Sequence, residues 1–356
     1  MTDPIERSTR KNADGSVAHT VSMRLGPDTQ TRPVRDDVVT LLDHGLGRFG
    51  EVMHAMDPSR IMSFASGGPP VWSVGIVEVG GDTPYTLLVT YGFSHILSPE
   101  PFREGLSHEY SLAVPKGTPI SPWADAFLRH QCRYVLTQRA DIRVNDCVPL
   151  RGVPMTRVPF QPEHHAMMPD STLVGIVAAA DPVLPRVSTP HGDIEVRRLI
   201  GIDQAELDRV ETWDVAGFVE ELRCINPLLL SPITRSSAMD YPPFAEKVNA
   251  RAAREGSSMD GALFDFSWRP SGGGVTIALP HGRAARRLEN GIRGRVGFGR
   301  RLVAVSQHSP PIVFDPAATG TRATQRELVI GGDTTSPHVA AILTALDAGH
   351  GEVGLG

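Results

Sequence analysis

The feature that most constrains the fold is a pair of short apolar runs separated by a glycine turn. The runs are WSVGIVEV (72–79) and YTLLVTY (85–91), with Gly80-Gly81-Asp82 between them. Valine, threonine and tyrosine are enriched in strands, and a glycine-rich reversal between two such runs is typical of a hairpin. The sequence therefore predicts a β-hairpin at the centre of the first part of the chain.

Three later runs extend this hairpin into a sheet. LSHEYSLAV (106–114) alternates between two sets of residues, which predicts a strand with one face in water. LVGIVAAA (173–180) and IEVRRLIGI (194–202) predict two more strands. Between the first and second of these runs, Ser121-Pro122 starts a helix that carries Trp123 in its apolar stripe. The result is an antiparallel or mixed sheet with helices packed on it.

Acidic residues mark the starts of three further helices. Apolar residues at spacings of three and four run from Val38 to Met56 behind an acidic first turn, which predicts one helix. Asp203 with Glu206 matches a capping box, and Asp214 is a suitable N-cap for the helix that follows.

The chain has 356 residues, too many for one ordinary hydrophobic core, so two domains are expected. We predict a flexible segment at 1–33, a main domain at 34–245, a linker at 246–260, a smaller domain at 261–347 and a tail at 348–356. The linker falls in NARAAREGSSMDG, which is polar and rich in small residues. The predicted fold class is α+β, with a mixed, largely antiparallel sheet and packed helices in the N-terminal lobe and a smaller β-rich C-terminal lobe.

Composition argues against several classes of function. The net charge of −5 provides no global attraction to nucleic acid or acidic lipid. No apolar run approaches the roughly 18 residues needed to span a bilayer, and the start of the chain lacks the apolar core of a secretory signal. We therefore predict a cytoplasmic protein that does not associate with a membrane. Three widely spaced cysteines indicate reduced thiols. Only three of 35 basic residues are lysines, which favours a bacterium with a GC-rich genome.

Ser94 and His95, directly after the second strand, are the first catalytic candidates. Ser94 does not lie in a G-x-S-x-G elbow, and successive strand residues point to opposite faces. We interpret Ser94 as a turn residue that caps backbone groups. A hydrolase that uses Ser94 or the clustered histidines His164 and His165 remains the alternative.

Metal and cofactor motifs are weak. His130-x-Cys132 and His164-His165 lack a characteristic ligand spacing. The glycine-rich SGGGVTIALP leads into a strand and has no following Gly-Lys-Ser/Thr, so it is a turn rather than a phosphate loop. No metal and no cofactor are predicted.

Arginines are concentrated between His281 and Arg301. This segment contains seven arginines and a single acidic residue, Glu289. Such a basic surface can receive an acidic segment, a carboxylate or a phosphate through bidentate guanidinium contacts. The alternative is a solvated surface whose charges are balanced by acids elsewhere in the fold. Nucleic acid is the weakest candidate, because the segment lacks interleaved aromatic residues. The arginines are Arg283, Arg286, Arg287, Arg293, Arg295, Arg300 and Arg301.

Several stretches together resemble the Suppressor of fused family. They are TYGFS (90–94), EGLSHEYSLAVP (104–115), PWADAFLRHQCRYVL (122–136), STPHGDIEVRRLIGIDQAELDRVETWDVAGFVEELR (188–223) and PITRSS (232–237). NGIRGRVGFGRRLVAVS is similar to part of the second domain of the animal proteins. The resemblance assigns a structural motif to Tyr91, Gly92, Ser94, Trp123, Pro190, Gly192 and Trp213.

This resemblance implies a two-lobed binder rather than an enzyme. Animal members sequester a transcription factor by clamping a peptide, added as a strand, in the cleft between the lobes, and bacterial domains of this kind resemble immunity proteins that neutralise a cognate toxin. Leu88 stands where the animal proteins have a tyrosine, so their partner does not carry over. We predict a protein partner, an acidic segment or a cognate toxin, with candidate contacts at Arg235, Arg293, Arg295, Arg300 and Arg301.

Overall fold

The computed structural model describes residues 5–11, 17–23, 46–49, 51, 53–56, 73–91, 108–138, 141–184, 186–189 and 192–356. The chain forms two compact units. Unit 1 comprises Met1–Ile202 and Asn226–Arg235, and unit 2 comprises Asp203–Ile225 and Ser236–Gly356. Neither unit is a continuous segment, because the chain passes between them after Ile202, Ile225 and Arg235.

In its described residues, unit 1 is built mainly on strands, with a long helix at Trp123–Gln138 and a 3-10 helix at Pro162–Met167. Its elements are β1 (Ile5–Lys11), β2 (Val17–Met23), β3 (Met53–Met56), β4 (Ser73–Val79), β5 (Tyr85–Tyr91), β6 (His108–Pro115), α1 (Trp123–Gln138), β7 (Cys147–Pro149), β8 (Gly175–Ala180), β9 (Val187–Thr189) and β10 (Gly192–Ile202).

The main sheet of unit 1 has the order β3-β4-β5-β6-β10-β8-β7, with β9 paired to β10. Its pairs are antiparallel except β6 and β10, which run parallel with His108 opposite Glu195. The predicted hairpin is β4–β5, in which Val79 lies opposite Tyr85. The mixed, largely antiparallel sheet is therefore confirmed.

Both faces of the sheet are buried at its central strands β5 and β6, each face in its own hydrophobic core. Leu88 packs in one core with Trp123 and Phe127 of α1. Its neighbours Leu87 and Val89 point the other way and pack in the second core. The predicted wet face of β6 is wrong for this reason: the strand is buried from end to end except at its last residue.

A fully buried ion pair lies within the second face. Arg198 of β10 and Asp181 have no exposed side-chain surface, and Arg198 Nη2 lies 2.8 Å from Asp181 Oδ2. Ser111 of β6 donates to the same oxygen at 2.5 Å, and Arg198 Nη1 donates to the Leu228 carbonyl at 2.9 Å. This network joins two central strands to the returning segment Asn226–Arg235.

Loss of the charge on Asp181 is expected to destabilise unit 1 strongly. Asp181→Asn keeps an oxygen for the backbone N–H groups of Val183 and Leu184 that the carboxylate now accepts. Arg198 is left without its counter-ion in the core, so the free energy of unfolding should fall by about 3 kcal/mol or more in urea titrations. The matched control is Asp170→Asn, whose side chain is 88% exposed beside Arg157 and should cost less than about 1 kcal/mol. Equal losses would contradict the role of the buried pair.

Unit 2 is smaller and combines helices with two sheets. Its elements are α2 (Gln204–Thr212), α3 (Val215–Ile225), a 3-10 helix (Ala238–Asp240), α4 (Pro242–Glu255), β11 (Gly261–Leu263), β12 (Ser267–Ser271), β13 (Gly274–Ala278), α5 (Gly282–Arg295), a 3-10 helix (Val296–Phe298), β14 (Leu302–Val305), β15 (Ile312–Asp315), β16 (Thr321–Ala323), β17 (Leu328–Gly331), α6 (Pro337–Asp347) and β18 (Glu352–Leu355). The sheets have the orders β11-β14-β15-β17-β16 and β12-β13-β18.

Local signals placed the starts of α2 and α3 correctly. Asp203 caps α2 and forms the predicted capping box with Glu206. Asp214 Oδ2 accepts the Gly217 N–H at 2.6 Å at the start of α3. The main core of the unit packs Leu288 and Ile292 of α5 together with apolar residues of α6 and the strands. The α+β fold class is confirmed.

The predicted linker at 246–260 is wrong over most of its length. Residues up to Glu255 belong to α4, which buries Phe244, Val248 and Ala252 at four-residue spacing. Phe244 also meets the Phe218 ring edge-to-face, with 5.6 Å between ring centroids. A polar composition hid a narrow apolar stripe, and the chain instead divides after Ile202, Ile225 and Arg235.

Three terminal or local predictions also change. The segment predicted to be flexible, 1–33, contains β1 and β2, which pair antiparallel. The predicted tail, 348–356, contributes β18, which pairs with β13. Met53–Met56 was expected to end a helix but forms β3 against β4. In each case strand pairing decides the structure, and helical spacing or composition does not reveal it.

Candidate functional site

The arginines between His281 and Arg301 do not form one uniform surface. Four of them share the side of α5 that faces away from the buried Leu288 and Ile292. The remaining three lie at the end of α5 and in the connection to β14. The four on the helix side are Arg283, Arg286, Arg287 and Arg293.

Two arginines of the helix are neutralised within unit 2. Arg287 Nε donates to Glu211 Oε1. Arg293 donates to Glu289 Oε1 at 2.7 Å and to Asp347 Oδ2 at 2.9 Å. For these two residues the alternative interpretation, a surface balanced by acids elsewhere in the fold, describes the structure.

Two other arginines meet on a neutral group. Arg295 Nη1 and Arg300 Nη1 donate to the same carbonyl oxygen, that of Ser257, at 3.0 and 3.1 Å. Arg295 Nε also donates to the Arg301 carbonyl at 2.6 Å. The side chains of Arg300 and Arg301 are exposed. We call the set Ser257, Arg295, Phe298, Arg300 and Arg301 the arginine corner.

The local sequence explains how the corner forms. After α5 a single 3-10 turn ends at Gly299, whose φ of 69° is left-handed and suits glycine. This turn brings the Arg300 N–H back to the Arg295 carbonyl at 3.0 Å. Ser257 is fully buried, and its N–H donates to the Gly294 carbonyl, so the acceptor is fixed beside the end of the helix.

The corner holds its positive charge at some electrostatic cost. Burial lowers the pKa of Arg295, the charge of Asp260 opposes this effect, and the charge of Arg300 lowers the pKa further. A carbonyl dipole satisfies N–H groups but does not cancel two charges. The corner is therefore a local cationic site in an acidic chain.

The fifth candidate contact, Arg235, lies in unit 1 and is half-buried. Its Nη2 donates to the Gly201 carbonyl at 3.3 Å, which ties the returning segment to the end of β10. The structure thus brings Arg295, Arg300 and Arg301 together and gives Arg293 two acidic partners.

The described residues of the structural motif occupy packing positions. Tyr91 ends β5, is fully buried and fills the space beside Gly75, where a Cβ would lie 2.6 Å from the ring. Trp123 and Trp213 are fully buried and donate from Nε1 to the Pro119 carbonyl and to Glu255. Gly192 begins β10. Gly92, Ser94 and Pro190 lie outside the described residues.

A polar cluster in unit 1 was not found from sequence. Arg197 Nη1 donates to both oxygens of Asp141, at 3.0 and 2.9 Å, and His108 Nε2 lies 3.3 Å from Asp141 Oδ1. Burial, followed by the Arg197 charge, lowers the pKa of His108 to about 3. A general base works best with a pKa near the operating pH, so this buried imidazole suits a structural role better than proton transfer.

The clustered histidines His164 and His165 lie in the 3-10 helix Pro162–Met167. His164 is exposed, and His165 Nε2 lies 3.1 Å from the Phe160 carbonyl of its own segment. Within the described ranges, no group of three or more histidine, cysteine or acidic side chains is placed to hold a metal ion. Cys132, Cys147 and Cys224 are free thiols, as predicted. No described helix is both long enough and apolar enough to cross a membrane.

Residues 68–236 match the family model described as Suppressor of fused protein (SUFU). Over this segment the chain is similar to the Suppressor of fused family. The segment contains every residue assigned to the structural motif as well as Arg235, and the match confirms the resemblance noted in the sequence. The arginine corner lies beyond its end.

Solved structures extend the likeness beyond this segment. Drosophila Suppressor of Fused aligns with a TM-score of 0.67 and 15% identity over 91% of this chain and 93% of that chain, which shows a shared fold. A chain of the Sufu–Fu complex aligns with a TM-score of 0.49 and 17% identity over 62% of this chain and 96% of its own length. A putative SUFU homolog from Neisseria gonorrhoeae aligns with a TM-score of 0.39 and 12% identity over 57% of this chain and 95% of that chain. The sequence has no significant match among curated proteins.

The contribution of the Arg287–Glu211 ion pair to stability is expected to depend on pH. Burial raises the pKa of Glu211 above its ordinary 4.5, while Arg287 opposes the rise. The substitution Arg287→Met removes the opposing charge and should raise the pKa of Glu211 further. Above about pH 4.5, Glu211 of the variant then binds more protons in the folded state than in the unfolded state, and the folded state loses stability as the pH rises. The stability lost relative to the native chain should therefore be small at pH 4.5 and reach about 2 kcal/mol at pH 7.

Urea unfolding at the two pH values measures this difference. Arg286→Met is the matched control, because Arg286 is an exposed neighbour on the same helix. It should change stability little at either pH. A loss for Arg287→Met that is the same at both pH values would show that Glu211 does not depend on this partner.

Proposed function

We propose that this chain is a non-catalytic protein-binding module that sequesters or neutralises a partner protein. The observation that carries the proposal is the similarity of residues 68–236 to the Suppressor of fused family, in a fold shared with Drosophila Suppressor of Fused. The family resemblance implies restraint of a protein partner rather than chemistry on a substrate.

The distribution of charge supports a protein partner. The chain has a net charge of −5, yet unit 2 exposes Arg300 and Arg301 beside the Arg295 guanidinium. Local cations in an acidic protein favour an acidic surface on a partner over nucleic acid, which would be repelled by the rest of the molecule. Arg293 contributes if a partner carboxylate replaces Asp347, and Arg235 is the candidate contact of unit 1.

Our specific form of this proposal is a cytoplasmic bacterial immunity protein that binds a cognate toxin. The scarcity of lysine supports a GC-rich bacterial source, with three lysines among 35 basic residues. The bacterial relatives implied by the sequence resemblance support the antidote role. A protein of this kind acts by occupying its partner, so it needs affinity and no cofactor.

The proposal is tested by capture followed by inhibition. The tagged chain, expressed in its native cell, is expected to retain one dominant partner in stoichiometric amount. The purified partner should then lose its toxicity or activity when the chain is added. A partner that keeps full activity in the complex, or the absence of any reproducible partner, would reject sequestration.

Charge reversal tests the arginines with the same purified partner. Arg293→Glu with Arg300→Glu should raise the Kd by about tenfold or more, which corresponds to about 1.4 kcal/mol. Arg269→Glu with Arg326→Glu is the matched control, since both arginines are exposed and belong to unit 2. If both double variants raise the Kd equally, the arginines act only through the net charge of the chain and are not specific contacts.

A further inference from the structure

The arginine corner differs from the other arginines of unit 2 in what it binds. Arg287 and Arg293 have carboxylate partners. Arg295 and Arg300 instead share one carbonyl oxygen, at 3.0 and 3.1 Å. A guanidinium has five N–H donors, and these contacts use only part of them. The pair is thus held in place with donors and charge left for another group.

A partly exposed aromatic ring packs on the residue that precedes Ser257. The Phe298 ring packs on Gly256, where a Cβ would lie 2.4 Å from the ring Cγ. The side of Phe298 that remains exposed amounts to 39% of the residue. Gly256 precedes Ser257, so the ring and the two guanidinium groups rest on consecutive backbone positions. Arginine beside an aromatic residue is the composition enriched at the centres of protein interfaces.

We propose that the arginine corner is a docking point for an acidic segment of the partner protein. A carboxylate of that segment bonds to Arg300 and Arg295, and an adjacent apolar side chain packs on Phe298. This inference rests on the proposed function and specifies the chemistry of the partner at one point of contact.

Energetics favour a polypeptide over a small carboxylate. An exposed guanidinium–carboxylate contact is weak by itself and holds a small anion only at high concentration. The exposed part of Phe298 adds apolar contact that a simple carboxylate cannot use. A peptide that carries both groups gains from both surfaces at once.

Nucleic acid fits the corner less well. Phosphate groups would find the arginines, but a single-stranded binding site also needs successive aromatic residues on which bases stack. Phe298 is the one such residue from His281 to Val305 in the sequence. The overall charge of −5 also opposes a polyanion.

Fluorescence anisotropy with synthetic peptides tests the corner directly. The probe is a labelled peptide that repeats Glu-Glu-Leu, and the reference peptide repeats Gln-Gln-Leu. We expect the acidic peptide to bind the full chain, with a salt-dependent Kd, at least about tenfold more tightly than the amide peptide. Equal binding of the two peptides would overturn the proposal.

Variants locate the binding. Arg300→Glu with Arg301→Glu should raise the Kd for the acidic peptide by about tenfold or more, and Phe298→Ser by roughly fivefold. Arg283→Glu with Arg286→Glu carries the same change of charge on exposed residues of the same unit and should stay within about twofold. Unchanged thermal unfolding of the variants confirms that they fold. Equal loss in both double variants would overturn the proposal, as would tighter binding of single-stranded DNA through the same arginines.

The purified native partner separates this inference from the proposed function. If the Arg300→Glu, Arg301→Glu variant binds and inhibits that partner as well as the native chain does, the corner is wrong and sequestration stands. If the native chain binds the acidic peptide through the corner but inhibits no partner, the corner stands and sequestration is wrong.

Discussion

Burial of both faces of the central strands β5 and β6 is the constraint on which the rest of unit 1 depends. The two hydrophobic cores cover alternate side chains of β5 and β6, so a polar residue on either side of these strands cannot reach water. Each such residue needs a partner inside the protein. Thr90 donates to Glu109 at 2.5 Å, and Ser111 donates to Asp181 at the same distance. The polar sequence of β6, which looked like a wet face, is in fact a set of internal contacts.

This requirement also explains why the two units are interleaved in sequence. The segment Asn226–Arg235 supplies acceptors and donors that the sheet lacks: the Leu228 carbonyl accepts Arg198, and the Ser231 hydroxyl accepts the Gly201 N–H at 2.9 Å. The Ser231 N–H in turn donates to the Ala113 carbonyl at 2.8 Å. The chain must therefore return to unit 1 after α2 and α3, because the edge of β10 and its buried arginine remain unsatisfied without it.

Local chemistry could be predicted from sequence, and long-range pairing could not. The β4–β5 hairpin, the start of α1 and the Asp203 capping box depend on residues within a few positions of each other, and the structure contains all three. Strand β18, the stripe of α4 and the true division of the chain depend on partners far away in sequence. The arginine-rich segment was visible, but Ser257, which joins Arg295 to Arg300, is separated from them by about forty residues and has no motif.

The arginines between His281 and Arg301 differ in whether an acidic side chain bonds to them. Carboxylates are abundant in an acidic protein. In unit 2 they pair with Arg287 and Arg293, whose charges are thereby neutralised within the fold. At Arg295 and Arg300 the shared hydrogen-bond acceptor is instead a neutral oxygen, and burial lowers the pKa of Arg295 although the charge of Asp260 opposes the effect. An internal acid at that point would cancel the charge, while a carbonyl orients the guanidinium groups and preserves it. Oriented donors that keep their charge lose little entropy when a carboxylate arrives, which is the physical advantage of a preorganised contact.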